Sequence, residues 1–445
     1  MRVRRWLAGR VYYGWVIAIA CLLAVMAVFG TTYAFGVFYD AFVDEFAVSR
    51  TALAATFGLQ TALIYVGAVA AGRAVDRIGG RRVTAASGAL LVAGLTWTAF
   101  ARSFPELVVA FGVVAAFGMA GLYVVGYATV PVWFERRRGA AAGLAAAGLG
   151  VGLVVVPPGA DHLIGVVGWR GAMLAVAGGA AVLTVLTVAL LVDDPAAVGA
   201  DRSVEFGDVD RGARRDGGNA DAADADPVDD DAANADPVDD DSGTEAANGR
   251  SARAIALSAP FLLAFCGWVF LFAPMYAVMT HVVVHAGESG IGRSAGVLAI
   301  TVIGATTTGA RLGIGPIADR IGRTRTFAAC GAVMGVSVVA FAGAPTAATL
   351  LAVAVVFGVG YGGCGGLFGA VVADLFGDTH LNTLFGLMSL SFAVSGLLAP
   401  PLAGYLFEVT GDYAVAFVGL GLLGVVGSGC IAVSARLVSG SNAGE

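Results

Sequence analysis

The chain has 445 residues, of which 58% are hydrophobic and only 13% are charged, and its mean hydropathy is +0.83. A soluble globular domain needs far more charge on its surface, so this composition excludes that class and indicates an integral membrane protein. The net charge of −6 does not indicate a basic partner, because 18 acidic residues and 6 arginines fall within positions 193–253 and leave the rest of the chain positive.

Apolar residues occur in twelve blocks of roughly 20 residues, the length that crosses a hydrocarbon core of about 30 Å. Six blocks precede the acidic segment and six follow it. The sequence therefore predicts an all-α membrane protein with twelve transmembrane helices in two pseudo-symmetric six-helix halves. The predicted helices cover residues 14–38, 53–75, 83–101, 107–133, 139–165, 171–191, 258–282, 295–317, 327–343, 347–373, 383–407 and 414–435.

The acidic segment separates the two halves and contains Ala-Asp-Pro-Val-Asp-Asp-Asp twice, at 225–231 and 235–241. Few apolar residues and many like charges cannot offset the entropy of ordering a chain. We therefore expect a six-helix bundle over residues 1–192, a disordered cytoplasmic linker over 193–254 and a second bundle over 255–445. A regulatory or cation-binding linker is the alternative.

The distribution of arginines predicts the orientation in the cell membrane. All 26 basic residues are arginines; if the N-terminus is cytoplasmic, 21 of them lie on the cytoplasmic side and one, Arg311, lies within a span. The four on the outer side are Arg50, Arg102, Arg170 and Arg293. Because cytoplasmic loops carry the excess of positive charge, we expect both termini to be cytoplasmic. The basic N-terminus precedes about 25 apolar residues, too many for a cleavable signal, so the first helix is expected to be retained.

A loop sequence recurs after the second helix of each half. The two copies are Gly72-Arg-Ala-Val-Asp76-Arg77-Ile-Gly79-Gly-Arg81 and Gly315-Pro-Ile-Ala-Asp319-Arg320-Ile-Gly322-Arg323. The same loop at the same place in two six-helix halves indicates a duplicated architecture with a site between the halves. Positive loops that merely set the topology would explain the arginines, but not the aspartates or glycines.

This pattern resembles the major facilitator superfamily. The resemblance implies that the two loops form a charge relay, which latches the cytoplasmic helix ends in the outward-facing state. We expect Asp76 and Asp319 to lie near helix N-termini, where the helix dipole favours a carboxylate, and the arginines to pair with acids on neighbouring helices.

Further motifs are similar to the monocarboxylate transporter and oxalate/formate antiporter branch. They are spread over nearly the whole chain outside the acidic segment: Tyr13-Gly14-Trp15, Phe35-Gly36-Val37-Phe38, Trp133-Phe134-Glu135-Arg136-Arg137-Arg138-Gly139, Gly168-Trp169-Arg170, Asp374-Leu375-Phe376-Gly377 and Thr410-Gly411-Asp412-Tyr413. The resemblance implies a secondary transporter that carries a small organic anion by alternating access, with proton symport or anion exchange for coupling.

Arg311 is the principal candidate for substrate binding. It lies eight residues before Asp319, or about 12 Å along a helix at 1.5 Å per residue, and is the only charged residue deep in a predicted span. An arginine at this depth costs several kcal/mol unless it faces a cavity or a partner. Its planar fork matches a carboxylate, and in the resembling branch an arginine in this register binds the substrate carboxylate. A snorkelling or structurally paired arginine is the alternative.

Two departures from the resembling branch bear on the substrate and its coupling. The branch often has a lysine in helix 1 or helix 11, whereas this chain has no lysine and carries Phe392 at the helix 11 position. One cation rather than two favours a monocarboxylate over a dicarboxylate. The acid that some relatives place one turn before the arginine is Thr307 here, so the coupling stays open.

Other polar side chains could complete the binding site. Tyr33, Tyr123, Tyr127 and Tyr361 fall in helices 1, 4 and 10, which line the cavity in the resembling superfamily, and we add Ser391 of helix 11. Tyrosine hydroxyls could orient an anion, although packing in the core or against lipid explains any one of them equally well.

The remaining features support no catalytic or cofactor site. Asp161-His162 suggests an exposed loop-edge pair or an external protonation pair, and His281 and His285 lack a third metal ligand. The glycine clusters lie within apolar helices rather than after a soluble strand, so they do not indicate a phosphate loop. We expect no enzyme activity, cofactor, metal or nucleic-acid partner.

The expected partners are lipid, a small organic anion and a coupling proton or anion, with the monomer as the working unit. An efflux carrier for drugs or metabolites, and a non-transporting sensor that signals through the linker, are the alternative functions.

Overall fold

The computed structural model describes residues 12–134, 138–193, 251–377 and 380–442, and the prediction of twelve transmembrane helices is confirmed there. Eleven helical stretches are long and apolar enough to cross a membrane, and one of them, Arg138–Leu190, is divided at Gly168. The spanning helices are α1 Tyr13–Phe46, α2 Arg50–Ile78, α3 Gly80–Phe100, α4 Phe104–Ala128, α5 138–167, α6 169–190, α7 Ala259–Glu288, α8 Arg293–Ile321, α9 Arg323–Ala342, α10 Ala347–Phe376, α11 Leu381–Thr410 and α12 Ala414–Asn442.

Two short helices and one π-helical stretch complete the described secondary structure. Two single-turn helices, Val130–Trp133 and Ala252–Ala256, flank the spans, and the part of α4 over Val108–Ala115 is a π-helix. The acidic repeats lie outside the described residues, and so does the motif segment 135–137. Asp193, which the sequence boundary assigned to the linker, contacts the first half.

The predicted turn at Gly168-Trp169-Arg170 separates α5 from α6. Gly168 has φ 73° and ψ 169°, a backbone region open chiefly to glycine. Arg170 then donates to Glu45 at 2.8 Å, and its guanidinium carbon lies 4.2 Å from the centre of the Trp169 ring. The turn is therefore fixed by a glycine backbone and by an arginine that ties α6 to the end of α1.

The repeated loop forms the same tight turn in each half. Gly79, with φ 86°, is the single residue between α2 and α3, and Gly322, with φ 101°, is the single residue between α8 and α9. A side chain at either position would be strained because φ is positive. The glycine in each copy of the motif is thus explained by the turn.

The position of the motif aspartates differs from the expectation. Asp76 and Asp319 lie in the last turns of α2 and α8, and not at helix N-termini. The carboxylate at the start of α3 is Asp193, which accepts a hydrogen bond of 2.9 Å from the backbone N–H of Arg81. The prediction was wrong because α2 and α8 continue past these aspartates to Ile78 and Ile321. The carboxylate that caps α3 is Asp193, which is distant in sequence and reaches this N-terminus only through packing of the chain after α6.

The two halves meet along three helix pairs, α1 with α7, α2 with α11 and α5 with α8. Glycines allow the close approach in each pair. A Cβ atom built on Gly36 would lie 3.0 Å from the carbonyl oxygen of Thr280, and one built on Gly58 would lie 2.8 Å from that of Leu397. A Cβ atom on Gly150 would lie 2.4 Å from the carbonyl oxygen of Gly304. These backbones pack too closely for any side chain.

Substitution of Gly58 by alanine should lower stability despite the better helix propensity of alanine. The added methyl must displace the backbone of α11, and overpacking of this kind costs about 1–3 kcal/mol against a propensity gain of about 1 kcal/mol. We expect a lower thermal midpoint in detergent for Gly58→Ala. The matched control is Gly178→Ala in α6, where a Cβ atom would meet nothing within 4 Å. Equal midpoints for the two variants would contradict this account.

The contact between the halves is confined to one end and to the centre. Along α2 and α11, Gly404 packs on Arg50, Gly58 packs on Leu397 and Tyr65 stacks on Phe392. Beyond that stack, a Cβ atom on Gly72 or Gly386 would meet nothing within 4 Å. We call the closed end, with Asp40, Arg50, Asp161, Glu288 and Arg293, the latch end. The opposite end, with residues 77–82 and 320–325, is the loop end. The halves diverge towards the loop end.

Candidate functional site

The guanidinium of Arg311 lies near the middle of the bundle, against α10. A Cβ atom on Gly365 would lie 2.4 Å from its Nη2 atom, so the guanidinium packs directly against the backbone of α10 at this glycine. Its carbon Cζ lies 5.7 Å from the centre of the Tyr361 ring, a cation–π geometry. The arginine therefore points inward, between helices, and not into lipid.

Arg311 has no acidic partner within the described ranges 12–134, 138–193, 251–377 and 380–442, where the ion pairs all involve other arginines. The Nε atom of Arg311 is buried and has no hydrogen-bond acceptor there. Tyr127 of the first half lies close to the guanidinium. A buried donor without an acceptor is costly, and a carboxylate would relieve that cost.

Two of the predicted tyrosines meet across the interface. The hydroxyls of Tyr33 in α1 and Tyr361 in α10 lie 3.3 Å apart, and Tyr33 also donates to the sulfur of Met275 at 3.7 Å. Tyr33 is 1% exposed and Tyr361 is 4% exposed. These two side chains join the halves on the latch side of the centre.

A second tyrosine pair was missed by the sequence reasoning. Tyr276 of α7 donates to the hydroxyl of Tyr65 in α2 at 3.2 Å. The signal was present, because Tyr33-Ala34 in the first helix of one half recurs as Tyr276-Ala277 in the first helix of the other. Tyr65 was missed because the predicted site included tyrosines of helices 1, 4 and 10, and Tyr65 lies in helix 2.

The tyrosines belong to one network of ring contacts and hydroxyl pairs. Tyr123 lies 5.0 Å from Tyr127, 5.4 Å from Tyr65 and 6.2 Å from Phe29, measured between ring centres. Tyr65 in turn stacks on Phe392 at 5.3 Å with an interplanar angle of 22°. We call this set the aromatic cluster, with the members Phe29, Tyr33, Tyr65, Tyr123, Tyr127, Tyr276, Tyr361 and Phe392.

Ser391 lies beside the aromatic cluster in sequence but does not join its contacts. It is fully buried, and its hydroxyl donates to the carbonyl of Met388 in its own helix at 2.6 Å. Its neighbour Phe392 makes the contact with Tyr65 instead. The structure thus brings Arg311, Tyr127, Tyr123, Tyr33 and Tyr361 together and leaves Ser391 aside.

Ion pairs close the latch end, and the sequence reasoning did not predict them. Arg293, at the start of α8, donates to Asp40 at 2.9 Å, to Asp161 at 3.2 Å and to the carbonyl of Val37. All three acceptors belong to the first half. Asp161 is thus the partner of an arginine of the second half, rather than an isolated loop-edge residue.

Further contacts strengthen the same closure. Arg50 pairs with Glu288 at 2.5 Å, and the backbone N–H of Thr51 donates to Glu408 at 2.8 Å. Each joins the start of α2 to the second half. The latch end is therefore held by charge pairs between halves, whereas the described part of the loop end shows none.

Comparison with known proteins identifies the family to which this twelve-helix chain belongs. A family model described as the Major Facilitator Superfamily matches residues 20–314 and 298–442. The chain belongs to the Major Facilitator Superfamily. The predicted resemblance is therefore confirmed, and the multi-pass membrane architecture with it.

Curated relatives of this superfamily member span nearly its whole length. It is 26% identical over 414 residues to monocarboxylate transporter 11 of Mus musculus, with 91% of this chain and 83% of the relative covered. It is 26% identical over 425 residues to the Homo sapiens protein of the same name, with 94% and 82% covered. Monocarboxylate transporter 2 of Rattus norvegicus is 25% identical over 439 residues, with 96% and 84% covered.

Within the part of the chain that the structure describes, the side-chain hydrogen bonds and ion pairs of the superfamily loop motifs join residues of the same half. Arg323 pairs with Asp374 of α10 at 3.2 Å and with Asp319 at 3.8 Å. Arg81 donates from Nε to the carbonyl of Val188 at 3.1 Å. An acid on a neighbouring helix was expected for these arginines. Arg323 has one, whereas the Arg81 guanidinium donates to a backbone carbonyl.

The histidines at the latch end serve packing. Nε2 of His281 lies 3.0 Å from the carbonyl oxygen of Pro400, and Nε2 of His285 lies 3.1 Å from that of Phe341. The residues that the structure describes contain no group of three His, Cys, Asp or Glu side chains that could hold a metal ion.

Proposed function

We propose that the protein carries a small monocarboxylate across the membrane by alternating access, with Arg311 as the anion anchor. The observation that carries the proposal is a partly buried arginine whose buried Nε donor is unsatisfied and which has no acidic partner among the described residues. The names of the relatives favour the same substrate class. One cation beside aromatic walls suits one carboxylate rather than two.

The arrangement of the halves supports a carrier that is open at the loop end. The latch end is closed by ion pairs, while Gly72 and Gly315 of the loop motifs face open space, with nothing within 4 Å of an added Cβ atom. Small residues at these two places have no role in this state. They would be needed where the loop end closes and the helices meet.

We infer that the loop end faces the cytoplasm, because the arginine excess lies on that side. The latch end then faces outward. Coupling proceeds by proton symport or by exchange for another anion, and the working unit is the monomer. A pH gradient should drive uptake in the first case, and a preloaded anion should drive it in the second.

Uptake into proteoliposomes tests the proposal. The purified full-length chain should take up labelled pyruvate, lactate or formate faster than protein-free liposomes, and a preloaded unlabelled acid should accelerate exchange. Absence of both uptake and exchange for all three acids would overturn the monocarboxylate assignment.

Deletion of residues 200–250 should leave transport essentially intact, provided that the segment is a passive tether between the halves. The entropic cost of closing a flexible polar segment grows only slowly with its length, so a segment of this composition tolerates shortening. Uptake by the deletion variant, relative to the amount of protein in the liposomes, is the measurement. A loss of more than about tenfold in uptake, with unchanged thermal stability, would instead indicate a regulatory role.

A further inference from the structure

The aromatic cluster indicates which tail the substrate carries. We propose that the preferred substrate is a monocarboxylate with an aromatic or bulky apolar tail, rather than a two- or three-carbon acid. The proposal rests on the proposed function, since it places the carboxylate at Arg311 and adds the position of the tail.

The exposed parts of three cluster rings face the space between the halves. Tyr123, Tyr127 and Phe392 are only partly buried. Phe392 of the second half stacks on Tyr65 of the first, Tyr65 contacts Tyr123, and Tyr123 contacts Tyr127. Because this series of ring contacts crosses from one half to the other, we place the exposed faces of the three rings at the space between the halves.

Most of the tyrosine hydroxyls in the cluster already have partners. Tyr33 pairs with Tyr361, and Tyr276 pairs with Tyr65, in both cases hydroxyl to hydroxyl. These four residues therefore offer ring surface rather than free polar groups. Among the described residues of the aromatic cluster, Tyr123 and Tyr127 are the two tyrosines whose hydroxyls do not join these pairs.

Four rings of the cluster contact one another in series, beginning beside the arginine. Tyr127 lies close to the guanidinium, Tyr123 lies 5.0 Å from Tyr127, Tyr65 lies 5.4 Å from Tyr123, and Phe392 stacks on Tyr65. A carboxylate held at Arg311 with a one-carbon tail would reach no further than the first of these rings. An aryl tail would lie against Tyr123 and the Tyr65–Phe392 stack, where aromatic contacts add to the area buried.

The same surface disfavours a second charge on the substrate. Phe392 also contacts Phe272 at 4.6 Å and Phe368 at 5.2 Å between ring centres, so the far wall is apolar. A second carboxylate would be desolvated there without a cation among the described residues, which costs several kcal/mol in a low-dielectric site.

Pyruvate and phenylpyruvate form a matched pair of substrates, because they share the 2-oxo acid group and differ only in the tail. In proteoliposomes holding the full-length protein, we expect kcat/KM for phenylpyruvate to exceed that for pyruvate by about tenfold or more. Succinate should be a poor competitor of either. If pyruvate is carried and phenylpyruvate has no advantage, this inference is overturned while the proposed function stands. If neither acid is carried, the proposed function itself fails.

Substitutions then locate the preference. Tyr123→Ala and Phe392→Ala should each lower the phenylpyruvate-to-pyruvate ratio, and Tyr123→Phe should keep it, because the ring remains. The ratio is read within each variant, so a loss of folded protein does not imitate the effect. A ratio that survives both alanine substitutions would show that the tail does not lie on these rings.

Discussion

Arg311→Gln should lower kcat/KM for organic-acid uptake by roughly 30-fold or more, because charge-assisted hydrogen bonds to a carboxylate are worth about 1.5–3 kcal/mol. Glutamine keeps a donor and much of the length but loses the charge and the two-pronged fork. Arg311→Lys should fall between, since the charge remains while the paired geometry is lost. Initial rates of labelled pyruvate uptake, measured over a range of concentrations, give the comparison.

The matched control for this prediction is Arg436→Gln, which makes the same chemical change at an exposed arginine near the end of α12. It should transport like the wild type. Thermal unfolding in detergent should show that Arg311→Gln is folded. We expect its thermal midpoint to be no lower than that of the wild type, since the substitution removes a charge that has no acidic partner among the described residues. Wild-type uptake by Arg311→Gln would contradict the role of anion anchor.

The architecture could be predicted because its signals are local and repeated. Hydropathy defines each span, and the copies of the loop motif at Gly79 and Gly322 define the duplication. The π-helical part of α4 and the position of Asp193 at the start of α3 could not be predicted in this way. Both depend on how helices that are remote in sequence pack against each other.

The candidate site was predictable only in its charged centre. Arg311 stands out because an arginine deep in an apolar span is costly without a function. The Tyr65–Tyr276 pair and the ion pairs of Arg293 involve residues that look ordinary in sequence. Their role arises from pairing between halves, with partners more than 130 residues apart in the chain, and neither periodicity nor composition records such pairing.

Arg293→Gln should shift the protein towards a state that is open at the latch end. In the closed arrangement Arg293 is 33% exposed and donates to Asp40, Asp161 and Val37, all across the interface. Discounted for solvent screening, the loss of these contacts is worth about 1–2 kcal/mol, or roughly a 5- to 30-fold change in the ratio of closed to open molecules. Asp40→Asn should act in the same direction with a smaller effect, because Asp161 still pairs with Arg293.

Distances between spin labels at Ser103→Cys and Ala348→Cys would measure this shift. The two positions lie at the latch end, one in each half, and the partly exposed native cysteines Cys266, Cys330 and Cys430 are replaced by alanine. We expect a longer-distance population that grows in Arg293→Gln. The matched control is Arg170→Gln, which breaks the Arg170–Glu45 pair at the same end but within one half. Of these two arginines, Arg293 bridges the halves and Arg170 does not. Equal distance distributions in the two variants would therefore refute the latch, and a selective change would identify a contact that must break before substrate enters from that side.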